Sequence, residues 1–301
     1  PRVEIDDRTR PPLDFALWKS SKPGEPTWES PWGPGRPGWH IECSAMSTKY
    51  LDQPFDIHGG GRDLIFPHHE NEIAQSEGAY GKALARYWIH NGFLNINQEK
   101  MSKSLGNFFT IREILEDFDA VALRHYFLAS HYRSPLDFST DGLQEADAAA
   151  ERIFETAERA AQLLKGSSPA APDDELMNSF RREMDDDFNT PRALALVFDE
   201  ARALNRLFDG KKLKGLEKRV AAFRSMCGTL GLFQEGYFDR KKQRWLKKGI
   251  LAASDIEALI ARRNDARQDK NWAEADRLRE ELQSKGIVIE DTPRGTLWKV
   301  K

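Results

Sequence analysis

Cysteine is nearly absent from these 301 residues: only Cys43 and Cys227 occur, far apart and in different sequence contexts. A disulfide framework is thereby excluded as the organising device, and a reducing, cytoplasmic setting is the expectation. Long apolar runs are lacking too. None approaches the roughly 20 residues of a membrane span, so no membrane association is expected, and no charged-then-apolar leader is visible. Charge of one sign is missing as well: 45 Lys and Arg against 48 Asp and Glu leave a net −3. Nucleic-acid binding, if present, has to come from local patches. The chain opens at Pro1 in "PRVEIDDRTRPPLDFALWKSS", which raises the expectation of a fragment. What is present, 40% hydrophobic and 31% charged residues, is the balance of a globular protein with room for two or more domains.

Residues 1–37 are dense in Pro, Gly and Trp and read as irregular chain held against something else. Residues 38–106 carry short apolar runs separated by glycines. "PFDIHGGG" reads as a strand entering a glycine turn, and a helix is expected to start near Pro67. Asn91-Gly92 between alternating flanks predicts a hairpin. Helices follow. Leu143, Ala146, Ala150, Ile153, Ala157, Ala160 and Leu164 recur at three- and four-residue spacing, with a start at Ser139 or Thr140 and a stop at Gly166. Thr190-Pro191 opens another helix. Residues 140–235 thus form an antiparallel bundle, 236–249 a basic linker, and 250–301 a small α/β appendage of two helical segments and two strands joined by a Pro-Arg-Gly turn. Cys227 falls among core positions of the bundle. The fold class is α/β, then α-helical, then a small α/β unit.

Residues 40–72 hold Cys43 and four of the seven histidines, His40, His58, His68 and His69. His68 and Glu72, four apart, project from one helical face, and zinc accepts Cys, His and Glu together. Three ligands are too few for a closed structural site. They suit either an open catalytic position or a site whose fourth ligand lies elsewhere. The bland alternative is a buried cysteine beside a capping histidine and a surface glutamate.

Lys100-Met101-Ser102-Lys103-Ser104 places two lysines among small hydroxyl residues before Leu105-Gly106. A mobile cationic loop of this kind closes over nucleotide phosphates, although most short Lys/Ser runs are plain exposed loops. "KMSKS" is one of two motifs of class I aminoacyl-tRNA synthetases. With "GRPGWHIECSAM", "FDIHGGGRDLIFPHHENEIAQSE", "DDDFNTPRAL" and "WAEADRLREELQSKGIVIEDTPRGTLW" in order, the whole chain resembles cysteinyl-tRNA synthetases.

That resemblance implies activation of cysteine by ATP and its transfer to tRNA(Cys), with Mg²⁺ accompanying ATP and one Zn²⁺ binding the substrate thiolate. It implies metal ligands Cys43, His68 and Glu72, with a fourth family ligand that has no counterpart. The family's upstream His-x-Gly-His string is not found, so the chain resembles the C-terminal two thirds of such an enzyme, beginning within the connective insertion (1–37). The second half of a Rossmann-type catalytic domain would follow (38–106), then a stem-contact region (107–139), a tRNA-binding bundle (140–235) and an anticodon-binding domain (250–301). Trp39 is expected to line the cysteine pocket. His58, Gly59, Gly60 and Gly61 would form the floor under the adenylate, and Asp63 would hold the ribose hydroxyls or else cap the following helix. Lys103, supported by Lys100, is expected at the phosphates. Arg267, Trp272, Asp276 and Asp291 occupy anticodon-reading positions, with Trp272 either stacking a base or packing on the preceding helix. The basic groups Lys211, Lys212, Lys214, Lys218 and Arg219, and Arg240, Lys241, Lys242, Arg244, Lys247 and Lys248, are candidates for tRNA phosphates. A monomer is expected, and the fragment alone is expected to be inactive. Two other readings remain open: a ligase joining cysteine to an amino-sugar, as in mycothiol synthesis, and a non-catalytic zinc- and RNA-binding remnant.

Overall fold

A computed structural model of the chain describes residues 10–11, 13–96, 99–100, 110–292 and 295–300. The backbone falls into two compact units, residues 1–94 with 132–136, and residues 95–131 with 137–301.

In the first unit, β1 (Trp18–Ser20) pairs antiparallel with β2 (Gly35–Pro37), and α1 (Trp39–Leu51) follows. Then β3 (Phe55–Gly61), α2 (Glu70–Tyr80) and β4 (Ala85–Asn91) make a βαβ crossover with β3 and β4 parallel. A small core of Phe55, Leu84 and Ala85 lies under it, with Trp88 packed alongside. Parallel strands are normally covered on both faces, and two strands alone are marginal. Here the cross-strand pair Ile57 and Tyr87 is exposed, so one face of this sheet stands uncovered.

One expectation is refined in this unit and one is corrected. A 3₁₀ turn (Arg62–Leu64) comes first, and a π-type turn (Ile65–His69) runs straight into α2 at Glu70. Phe66 breaks that turn with an extended φ −134°, ψ 133°, as the residue before proline prefers, so the winding that continues into α2 starts at Pro67, as expected. Asn91-Gly92 does not make a hairpin: β4 pairs with β3, and the chain leaves the sheet. Gly92 serves close packing instead, since a Cβ there would sit 2.2 Å from the Ser134 carbonyl oxygen.

Further along the chain, β5 (Leu94–Ile96), β6 (Glu99–Lys100) and β7 (Leu136–Phe138) form a three-stranded sheet in the order β6-β5-β7. Helices α3 (Ile111–Asp117) and α4 (Ala120–Leu128) lie between them in sequence. The bundle is α5 (Thr140–Leu163), α6 (Asp174–Asp185), α7 (Thr190–Asp209) and α8 (Glu217–Thr229). The Ser139 hydroxyl caps α5 by accepting from Gly142 N at 3.1 Å, and Asn189 caps α7 with Pro191 in its first turn. Ile153, Phe154, Val197, Leu204, Phe223 and Cys227 share one core. Burial pushes the Cys227 thiol up to about 12.

Residues 236–249, expected as a linker, form helix α9 (Tyr237–Lys247). Tyr237 anchors it in the bundle core, stacked on Phe154 at 4.3 Å and donating to Asp147 Oδ1 at 3.0 Å. Helices α10 (Ala253–Gln268) and α11 (Trp272–Ser284) and the hairpin β8 (Ile287–Thr292) and β9 (Gly295–Val300) complete the chain around Ile256, Ile260, Leu282, Ile287 and Ile289. No helix among the described residues is long and apolar enough to cross a membrane.

Candidate metal centre and its surroundings

The first turn of α2, the turn before it and the first turn of α1 supply the cluster. Polar contacts hold the two helices together. Ser44 Oγ donates to Gln75 Oε1 at 2.5 Å, and Ser76 Oγ reaches Gln53 Oε1 at 2.8 Å. Cys43, on α1, then shares a pocket with His68 and Glu72, their ligand atoms all within 4.8 Å of one another. His68 sits in the turn rather than on α2, yet its Nε2 lies 3.2 Å from Glu72 Oε1. The four-residue spacing therefore brings the two together across the junction of that turn with α2.

Glu72 is fully buried. Its Oε2 lies 2.8 Å from His58 Nε2, but neither carboxylate oxygen has a hydrogen-bond partner. A buried, orphaned carboxylate is costly unless something charged completes it. Burial opposes its ionisation, and the imidazoles of His58, His68 and His69 together outweigh that and hold its pKa below the usual value. Cys43 goes the other way: burial, then the Glu72 and Glu42 carboxylates, push its thiol up. A divalent cation would satisfy the carboxylate and favour the thiolate at once. The sulfur, nitrogen and oxygen donors fit zinc.

More histidines surround this set. His40 Nδ1 and His68 Nδ1 are 2.7 Å apart, and His69 Nδ1 and His90 Nε2 are 2.8 Å apart. Such partners fix which ring nitrogen of a ligand faces the metal. Burial, then its neighbour His58, lowers His69 to about 4. His58, His69 and Glu72 make a second group within ligand distance. His90 went unnoticed in the sequence because it lies outside the dense 40–72 stretch; β4 brings it back. Trp39 opens α1 and stacks on His68 at 4.3 Å, and is itself 57% exposed. It is therefore a wall with one open side.

The glycines of β3 run past this cluster. A Cβ on Gly60 would lie 2.9 Å from Leu64 Cδ1 and 3.1 Å from His69 Cε1, so the backbone passes the histidines where only glycine fits. His58 and Gly59 precede it on the strand, and Gly61 ends it. Asp63 is exposed in the 3₁₀ turn and is not the cap of α2, whose flanking residue is His69. Lys103 lies outside the described residues, and of Lys100 only the backbone in β6 is described.

In the second unit, Asp291 is gripped by both terminal nitrogens of Arg263 at 2.8 Å, by Arg267, and by the Thr296 hydroxyl at 2.8 Å. The Arg263 pair holds its carboxyl well below the usual range. Arg267 and Asp291 thus meet each other. Trp272, in the first turn of α11, is 59% exposed, and Asp276 is exposed on the same helix. Sequence reasoning missed Arg263, which is buried and orients Asp291.

Several cations expected at tRNA phosphates are engaged internally. Arg219 forks onto buried Glu200 at 2.8 and 2.5 Å. Arg240 and Arg244 both hold buried Asp119, each at 2.9 Å. Lys241 pairs with Glu151 at 2.7 Å and Lys248 with Asp117 at 2.9 Å. Lys242 lies over the Trp298 ring.

Comparison with known proteins agrees with this layout. Residues 2–148 match the family model described as "tRNA synthetases class I (C) catalytic domain", 179–234 the "DALR domain", and 252–298 the "Cysteinyl-tRNA ligase anticodon binding domain". A cysteine–tRNA ligase of Geobacter metallireducens is 53% identical over 318 residues, covering 100% of this chain and 66% of the relative. The counterpart from Geobacter sulfurreducens is 52% identical, covering 100% and 65%, and that from Alkalilimnicola ehrlichii 52%, covering 99% and 63%. The chain thus spans about two thirds of the length of these relatives. Among solved structures, the LeuRS-tRNA-LeuAMS ternary complex of Agrobacterium radiobacter K84 matches with a TM-score of 0.54 at 17% identity, over 72% of this chain and 34% of that one. At that identity the likeness speaks for the fold alone.

Proposed function

The chain belongs to the cysteine–tRNA ligase family of class I aminoacyl-tRNA synthetases, and from that premise we propose that it carries the cysteine-sensing and tRNA-holding parts of an enzyme that activates cysteine with ATP and transfers it to tRNA(Cys). The observation that carries this reading is the buried Glu72 carboxylate, orphaned beside Cys43 and His68. Cys43, His68 and Glu72 would hold zinc, and zinc there supplies Lewis acidity toward soft sulfur. A serine oxygen binds such a site less well, so sulfur is selected at the binding step.

The chain's own residues do the rest. Trp39 walls the amino-acid pocket and excludes water from one side. His40 orients His68 through its Nδ1. The His58–Gly61 strand passes close under the adenylate, and the exposed Asp63 carboxylate accepts from ribose hydroxyls. Lys103, with Lys100, meets the phosphates of Mg²⁺-bound ATP and steadies charge as pyrophosphate leaves. Trp272 offers a face for an unstacked anticodon base, Asp276 stands exposed one helical turn along, and Asp291, fixed by Arg263 and Arg267, presents a rigid edge.

The uncovered face at Ile57 and Tyr87 supports the further reading that the 301 residues alone do not form an adenylate. Joining the chain to the remaining third of the Geobacter metallireducens relative tests both points. The chimera is expected to charge tRNA(Cys) with cysteine and the chain alone to show no cysteine-dependent ATP–pyrophosphate exchange. A chimera that adenylates cysteine but loads only an amino-sugar would overturn the tRNA assignment, and exchange by the chain alone would overturn the incompleteness.

A further inference from the structure

A groove of about 560 Å³ runs between α5 and α7, and four arginines line it: Arg152 and Arg159 from α5, Arg202 and Arg206 from α7. Two of them are engaged. Arg159 donates to Asp209 Oδ1 at 2.6 Å and to Asn205 Oδ1 at 3.2 Å, and Arg202 pairs with Asp199 one turn away. Arg152 and Arg206 are exposed and form no ion pair among the described residues. The Arg152 guanidinium lies over the Phe198 ring, 5.6 Å from its centroid, which holds the charge at the groove wall.

The floor is fixed. Asn205 Nδ2 donates to the buried Thr156 hydroxyl at 2.8 Å while its Oδ1 takes the Arg159 bond. Two acceptors stand among the cations. Glu155 lines the groove, and Asp209 has one oxygen on Arg159 and one to spare. The lining runs from Arg152 to Arg159 and from Phe198 to Asp209, which at 1.5 Å per residue is about 10 and 16 Å.

We infer that the α5–α7 groove binds the sugar-phosphate backbone of RNA, with Arg152 and Arg206 meeting phosphates and Glu155 and Asp209 accepting from ribose 2′-hydroxyls. An RNA strand alternates an anion with a hydroxyl donor, and the groove sets guanidinium groups beside carboxylates on each wall to meet both. A free polyphosphate would meet the two carboxylates as repulsion, and DNA has no hydroxyl to give them. The inference rests on reading the chain as tRNA-binding. It moves the phosphate contact from the basic clusters, much of whose charge is internally paired, to a groove the sequence does not announce.

The test is fluorescence anisotropy of the 301-residue chain with a labelled tRNA(Cys) transcript and with DNA of the same sequence, across a salt series. The comparison protein carries Arg152→Gln and Arg206→Gln, both on exposed side chains, with its melting temperature checked against the parent. The double variant is expected to bind the transcript about tenfold more weakly near physiological salt, and its salt slope is expected to flatten by about 2. The parent is expected to bind the DNA more weakly than the RNA. Unchanged affinity and slope in the double variant would overturn the groove assignment while leaving tRNA binding standing. Equal binding of DNA and RNA would overturn the hydroxyl contacts and with them the choice of RNA. No RNA binding by the parent at any salt would overturn the tRNA reading and the inference together.

Discussion

Glu72 Oε1 stands 3.2 Å from Nε2 of His68, four residues earlier in the chain, and neither oxygen of that fully buried carboxylate has a hydrogen-bond partner. Such a group contributes only when a cation completes it. Glu72→Gln and Cys43→Ser are therefore each expected to weaken zinc binding by at least about tenfold, measured by competition with a chromophoric chelator. His40→Gln, which removes the partner of His68 Nδ1 and no proposed ligand, is expected to cost roughly 10- to 100-fold. Unaltered affinity in all three would place the metal elsewhere.

His125 makes a pH prediction. It is buried, neither ring nitrogen has a hydrogen-bond partner, and burial, with Arg152 nearby, lowers its pKa from 6.5 to about 4. Because the folded value lies below the unfolded one, the unfolded chain takes up the proton first. Stability is whole above pH 6.5 and falls as pH drops toward 4, by at most about 1.4 kcal/mol per pH unit. Urea denaturation at several pH values should show this slope in the parent. His125→Phe, which leaves no hydrogen bond broken, should make it shallower across that window, leaving the share carried by His69.

Asp119 is where α9 is fastened to α4. It is 1% exposed, accepts from Val121 N as the cap of α4, and holds Arg240 and Arg244. Asp119→Ala removes cap and counter-charge together and is expected to cost about 2–4 kcal/mol. Arg240→Ala leaves Arg244 in place and should cost less. The pair of unfolding curves decides it, since equal losses would mean that Arg240 alone carries the contact.

These cases also separate what the sequence made legible from what it hid. The start of α5 was legible because Ser139 caps it locally, and the meeting of His68 with Glu72 because four residues span one turn whether or not that turn is α-helical. Helix α9 was not, because its amphipathic pattern reads as a basic linker until Tyr237 is seen in the bundle core. The fate of Arg219 and Arg240 was equally hidden. Their partners Glu200 and Asp119 lie 19 and 121 residues away, and no spacing rule reaches that far. At Asn91-Gly92 the composition of a hairpin was present, but packing against Ser134 decided how the glycine was used.

Trp272 and Asp291 should part company on substitution. Trp272 is exposed, so Trp272→Ala is expected to leave stability within about 0.5 kcal/mol while weakening tRNA binding by roughly 1–3 kcal/mol for a lost stacked base. Asp291→Asn loosens the Arg263 fork inside the fold and is expected to lower stability as well as binding. Melting curves and anisotropy on the same samples separate the two, and a Trp272 variant that melts early would mean the ring is structural.

Under the proposed function, Cys43, His68 and Glu72 hold a zinc that receives the sulfur of cysteine. Zinc-edge X-ray absorption of the metal-loaded chain, before and after addition of L-cysteine and of L-serine, tests it most directly. One sulfur scatterer is expected at the start, a second after cysteine, and no change with serine. No sulfur in the resting spectrum, or the same response to serine as to cysteine, would contradict it.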